Sequence, residues 1–193
     1  MGILIPFAYL LIPYMIYWRM HPENYAYNGV PLRVILGDCF LPSVIGTCLG
    51  LLTAAGEEIG WRGFLVPVLT EKTGYKRMLL NTGLFWCLWH FPLLIGGGYS
   101  EGGSLIYSLI AFVACIFTVS VILGILRLES GSVWPCAFLH AAHNNFDQSI
   151  FGVMTKGMDK IYYVGETGIF TILCVWNAAA ILYIRFARKR QKE

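Results

Sequence analysis

Two adjacent carboxylates and an arginine, Glu57-Glu58-Ile59-Gly60-Trp61-Arg62, stand between two long apolar runs. Three histidines, His90, His140 and His143, also fall inside apolar stretches, and Asn144 follows the last of them. In a lipid interior each such charge costs a few kcal/mol unless it is partnered, so a chain that keeps several of them uses them. Glu58 and Arg62 stand four residues apart, which suits a local ion pair on a helix. Glu57 is turned about 100° from Glu58 and is free to face a different neighbour. His140 and Asn144 again stand at i and i+4 and share a face.

Glu57, His90 and His140, converging in a dry pocket, can hold a divalent metal such as zinc and activate water. The same groups can work without a metal. The glutamate then acts as general base on water beside a histidine. His140 and Asn144 polarise the peptide carbonyl and stabilise its oxyanion. Both routes lead to peptide hydrolysis. A Gly-x-Ser-x-Gly nucleophile elbow is absent from the sequence. Each residue also has a plainer role when taken singly. Glu58 with Arg62 can be a structural pair, His90 a packed helix histidine, and His143 a supporting or structural group. Trp61, Trp86, Trp89 and Trp134 read as packing or interface residues. The plainer roles weaken when the set is taken jointly, because membrane burial penalises every member.

The elements that must position these groups are helices in a bilayer. Of the 193 residues, 57% are hydrophobic and 13% charged, and the mean hydropathy is +0.63. Soluble domains carry about 25% charged residues, so the composition indicates a polytopic membrane protein. The expected fold is all-α, a single transmembrane helical domain over 1–193. At about 20 residues per crossing, six spans are expected, near 3–18, 34–70, 78–95, 104–126, 133–153 and 168–186. The second is too long for a plain crossing and is expected to break near Gly56 or Gly60, or to tilt. Gly46 and Gly50 form a GxxxG pair that favours close helix packing. Between the spans lie a polar loop from Arg19 to Arg33, a charged loop over 71–77, a glycine-rich loop over 96–103, a tight turn over 127–132 and a mixed loop carrying Lys156, Asp159 and Lys160. The opening run lacks a basic start and a small-residue cleavage site, and reads as a retained span. The six cysteines form no CxxC pair. They indicate neither a disulfide framework nor a zinc knuckle.

Charge placement orients the bundle. Five basic residues, Arg185, Arg188, Lys189, Arg190 and Lys192, close the chain. That tail is too short and too near a span to indicate nucleic-acid binding, and reads as a cytoplasmic anchor. Alternating backwards puts it inside with Lys72, Lys76, Arg77 and Arg127, nine in all, against four outside: Arg19, Arg33, Lys156 and Lys160. Both termini are therefore expected in the cytoplasm. At 1.5 Å per residue, Glu57 lies about 20 Å from the cytoplasmic end, His90 about 18 Å, His140 about 10 Å and Asn144 about 16 Å. Residues of three helices thus fall at overlapping depths.

These residues resemble the CPBP intramembrane protease family, which includes the type II CAAX prenyl endopeptidases and the bacteriocin-immunity or abortive-infection homologues. The family's Glu-Glu-x-x-x-Arg motif matches Glu57-Glu58-Ile59-Gly60-Trp61-Arg62, followed by Gly63-Phe64-Leu65. Its Phe-x-x-x-His motif matches Trp86 to His90, with tryptophan in the aromatic place. Its third, His-x-x-x-Asn or Asp, matches His140 to Asn144, preceded by Trp134-Pro135. The motifs occupy a core of roughly 45–150.

The resemblance implies an intramembrane endopeptidase, metal-dependent or not, acting on a prenylated or otherwise membrane-embedded peptide. It implies Glu57 as the base and His90 as its partner in holding water or metal. It puts His140 and Asn144 on the oxyanion side, with Glu58 and Arg62 in support. Family members often carry more spans before the first motif, so the chain is expected to be a short form or to lack its amino-terminal end. The expected setting is a prokaryotic cell membrane, with lipid and a peptide or protein substrate as partners. Two other classes fit less of the sequence. A non-catalytic regulator or immunity-type protein of the same family would not need every motif residue. A small transporter often shows paired inverted halves, which this chain lacks.

Overall fold

Apolar runs in lipid must satisfy their own backbone groups, and an unbroken helix does so within one segment. The computed structural model describes residues 2–96 and 103–192. It is a helical bundle: α1 (Leu4–Met20), α2 (Leu32–Glu58), α3 (Val66–Thr73), α4 (Tyr75–Ile95), α5 (Leu105–Ser130), α6 (Trp134–Asn144) and α7 (Ile169–Arg190). Among the described residues, four helical stretches are long and apolar enough to cross a membrane: Leu32–Thr73, Tyr75–Ile95, Leu105–Ser130 and Ile169–Arg190. α1 is a shorter apolar helix of 17 residues. The helix that starts at Trp134 is not among the four, and it carries His140, His143 and Asn144. The chain is thus an integral membrane protein built as a helical bundle.

The helix bearing the glutamates does not end at Gly56 or Gly60. It runs from α2 into α3 through a π-helical stretch, Ile59–Leu65. A second π-helical stretch, Asn145–Phe151, continues α6. π turns widen a helix and shift its register, and they gather at functional sites. Both stand directly after motif residues. The charged loop expected over 71–77 is largely helical, because α3 continues to Thr73 and only Gly74 separates it from α4. The tight turn near 127–132 forms later than expected. α5 runs to Ser130, and Gly131 ends it in a left-handed conformation at φ 66°, its N–H returning to the Arg127 carbonyl. Most of the glycine-rich loop over 96–103 lies outside the described residues.

α5 lies at the centre of the packing. It contacts α4, α6 and α7, while α1 packs on α6 and α7. Phe112, Cys115, Ile122 and Leu123 of α5 meet Leu10 and Tyr17 of α1 and Leu139 of α6 in one core. Val66, Met78, Leu79, Ile125 and Phe186 form a smaller core, which gathers α3, the start of α4 and the ends of α5 and α7 at one end of the bundle. At the other end the two polar loops are laced together. Ala26 N–H bonds the Met154 carbonyl at 2.9 Å, and Trp18 Nε1 bonds Thr155 Oγ1 at 2.9 Å.

α2 leans chiefly on α6 and its π continuation. Its most apolar window is only 6% buried, so most of its surface is left to lipid. The GxxxG pair provides the contact. A Cβ at Gly46 would fall on the Asn145 amide, and one at Gly50 would sit 3.8 Å from Ala141 Cβ. The Asn145 amide donates to the Pro42 and Ser43 carbonyls at 3.3 and 3.1 Å and to Thr47 Oγ1 at 3.2 Å. The small residues bring α2 close enough for that amide to clamp it. Two of the motif-bearing helices, α2 and α6, are thereby fixed to each other.

Candidate active site

Three helices and the first π turn bring the motif residues together. Glu58 ends α2 and is fully buried, as is Arg62 in the π turn after it. The expected ion pair forms, with Arg62 Nη1 at 2.9 Å from Glu58 Oε1. The same oxygen lies 3.0 Å from Nδ1 of His140 on α6. Arg62 also donates from Nη2 to Ser120 Oγ on α5, at 3.0 Å. Its guanidinium lies 4.3 Å from the Trp86 ring centroid on α4, within cation–π range. Arg127 Nε donates to the Arg62 carbonyl at 2.9 Å and ties the π turn to the end of α5. One buried ion pair thus joins the glutamate motif to α4 and α5 through Arg62 and to α6 through Glu58.

The network is not saturated. Glu58 Oε2 and Arg62 Nε are buried without a protein partner. Each such group costs about 1–3 kcal/mol.

Glu57 faces a different neighbour from Glu58, as their angular separation requires. It is half-buried, and its Oε2 accepts from Trp86 Nε1 at 3.2 Å. His90, one turn beyond Trp86 on α4, is also half-buried, and its Nδ1 lies 2.8 Å from the Trp86 carbonyl. A carbonyl can only accept, so His90 Nδ1 carries a proton and Nε2 is the nitrogen left for chemistry. His140 is held the same way, with Nδ1 toward Glu58. The Trp86 ring meets His90 and His140 edge to face, at centroid distances of 5.5 and 5.2 Å. Asn144 follows one turn after His140, half-buried, and its side chain makes no hydrogen bond among the described residues.

Five of the six expected residues are linked by contacts, in two connected parts, and no side-chain contact ties Asn144 to either among the described residues. Glu57 and His90 meet through Trp86. Glu58, Arg62 and His140 form the buried network beside them. The metal set of Glu57, His90 and His140 does not close into a ligand group in this arrangement. Among the described residues, no three His, Cys, Asp or Glu side chains could together hold an ion.

Sequence reasoning missed Ser120 and Arg127 and took Trp86 for packing. Ser120 belongs to no motif, and its only signal is a hydroxyl in the most hydrophobic of the spanning helices. Trp86 stands one turn before His90, which was signal enough to place it on the same face.

His143 faces away from this site. Its Nδ1 meets Tyr9 Oη at 2.9 Å and its Nε2 meets Glu166 Oε1 at 3.3 Å. Nearby, Tyr14 Oη donates to Asp147 Oδ1 at 3.0 Å. This second polar cluster joins α1, α6 and the loop before α7, consistent with a structural role for His143.

Fold and site together define a polytopic membrane protein with a buried carboxylate–imidazole centre shared by separate helices. The chain belongs to the Rce1-like family: the model described as type II CAAX prenyl endopeptidase Rce1-like matches residues 40–146. That range contains all six motif residues. The CAAX prenyl protease 2 of Methanococcus maripaludis is 29% identical over 137 residues, which are 69% of this chain and 47% of that relative. The chain spans about half the length of the curated relative it matches. No solved structure matches it significantly.

Proposed function

We propose that this chain hydrolyses a peptide bond of a membrane-embedded or prenylated, CAAX-type substrate by attack of an activated water. The observation that carries the reading is the side-by-side placement of a half-buried acid, Glu57, and a fully buried Arg62–Glu58–His140 network. The first has room to take a proton, and the second holds an imidazole rigidly. Glu57 accepts a proton from water while His90 Nε2 orients it. The water oxygen bonds to the carbonyl carbon, and the carbonyl electrons move to its oxygen. His140 Nε2 and the Asn144 amide donate to that oxyanion. For His140 to donate through Nε2 while Nδ1 faces Glu58, it must carry both protons at that step, and Glu58 then lies between two cations, Arg62 and His140. Glu57 then passes its proton to the departing amine as the C–N bond breaks. Gly56 and Gly60 face open space on either side of Glu57 in sequence and leave room for a substrate backbone.

The test is cleavage of a quenched-fluorescence peptide by the purified protein in proteoliposomes. A farnesylated CAAX-type peptide should be cut, and its unprenylated counterpart should be cut more slowly. The scheme requires no metal, so a chelator should leave turnover unchanged. Loss on chelation with recovery on adding zinc would instead assign a metal to Glu57, His90 and His140. Failure to cleave any membrane-embedded peptide would remove the reading.

We further propose a prokaryotic cell membrane as the setting, with both termini cytoplasmic. The end of α3 with Lys72, the start of α4 with Lys76 and Arg77, and the end of α5 with Arg127 gather at the same end of the bundle as the end of α7. Single cysteines placed at 74 and 191, in a background lacking the native six, should resist an impermeant thiol reagent in intact cells. Labelling at both positions would invert the assignment.

A further inference from the structure

We infer that Trp86 is a positioning residue of this site, and that its indole N–H, rather than its bulk, fixes where the Glu57 carboxylate points. The inference rests on the hydrolytic role proposed for Glu57. Trp86 is 2% exposed and touches each part of the constellation. Its indole N–H reaches Glu57, its ring face covers Arg62, and its edges meet His90 and His140. Its carbonyl holds His90 Nδ1.

These contacts differ in what they require. Any residue supplies the carbonyl. Phenylalanine would supply the ring for Arg62 and for the edge contacts. Only tryptophan supplies the N–H. That donor suits a general base. Indole donates and does not accept, so it can hold one oxygen of a carboxylate without competing for the proton the base must take. A lysine or histidine in its place would be a rival proton site. Glu57 is only half-buried, on a flank of α2 that other helices leave largely uncovered. Its side chain has several rotamers open to it. A hydrogen bond to an ionised group is stronger than one between neutral partners, and here it selects one rotamer. Oε2 is engaged and Oε1 is left for water.

Trp86→Phe removes that single donor and keeps the ring. In proteoliposomes it should lower kcat about 10-fold, the size expected for one hydrogen bond to a charged group. KM should be nearly unchanged, because substrate does not touch the indole. In a Glu57→Gln background, Trp86→Phe should cost nothing more, since the two act as one unit. Trp86→Leu removes ring and donor together and reports packing. If Trp86→Phe keeps wild-type kcat and only Trp86→Leu loses it, Trp86 is a packing residue and the inference is overturned.

A second readout needs no turnover. The indole proton resonance of Trp86, identified by its loss in Trp86→Phe, should move in Glu57→Ala and stay in place in Asn144→Ala. If it ignores Glu57→Ala, the hydrogen bond does not exist. If wild type fails to cleave while the resonance does move, the hydrolytic reading falls and Trp86 still orients Glu57.

Discussion

Arg62→Met lowers the melting temperature of the purified protein by about 10 °C, because it strips a buried carboxylate of its cation. Glu58 and Arg62 are both fully buried and in contact at 2.9 Å. Removing one member of a buried pair costs about 3–5 kcal/mol, mostly from the charge left behind. A domain of this size loses about 2–4 °C for each kcal/mol. His140 stays at 3.0 Å from Glu58 and keeps the loss from being larger. Methionine has a similar reach and fills much of the same space against Trp86, so the loss is electrostatic rather than a cavity. The double variant Glu58→Met with Arg62→Met removes both charges, and it should regain at least half of the drop. Thermal unfolding in detergent, followed by tryptophan fluorescence, measures both. An Arg62→Met protein that melts with wild type would mean that Glu58 is already neutral or solvated. The network would then not be what holds α5 and α6 to the glutamate helix.

The helices were legible because the bilayer imposes them: each long apolar run in the sequence became one. The Glu58–Arg62 pair was legible because the two stand four residues apart, and the contact forms even though Arg62 lies in the π turn. The different neighbours of Glu57 and Glu58 followed from the same geometry. The π turns were not legible, since no residue type marks them and they depend on what packs around the helix. The clamp between α2 and α6 was half legible. Gly46 and Gly50 announced a close contact, but nothing local showed that Asn145, rather than Asn144, would fill it. Ser120, Arg127 and the His143–Tyr9–Glu166 cluster depend on helix neighbours far apart in sequence, and a single sequence carries no record of such pairings.

Glu57→Gln is the other large effect, and it falls on chemistry rather than stability. The amide is nearly the same shape as the carboxylate, and its oxygen can still accept from Trp86 Nε1. Arg62, Glu58 and His140 do not touch it, so the buried network and the melting temperature stay as in wild type. What disappears is the proton acceptor, and positioned acid–base groups contribute about 10²–10⁴-fold. The measurement is the rate at which purified wild type and Glu57→Gln, each in proteoliposomes and each checked for an unchanged melting curve, release the fragment of a membrane-embedded prenylated peptide. The expected result is steady turnover by wild type and a loss of about 10³-fold in the variant. A Glu57→Gln protein that folds and still turns over at the wild-type rate would contradict the assignment of Glu57 as the base.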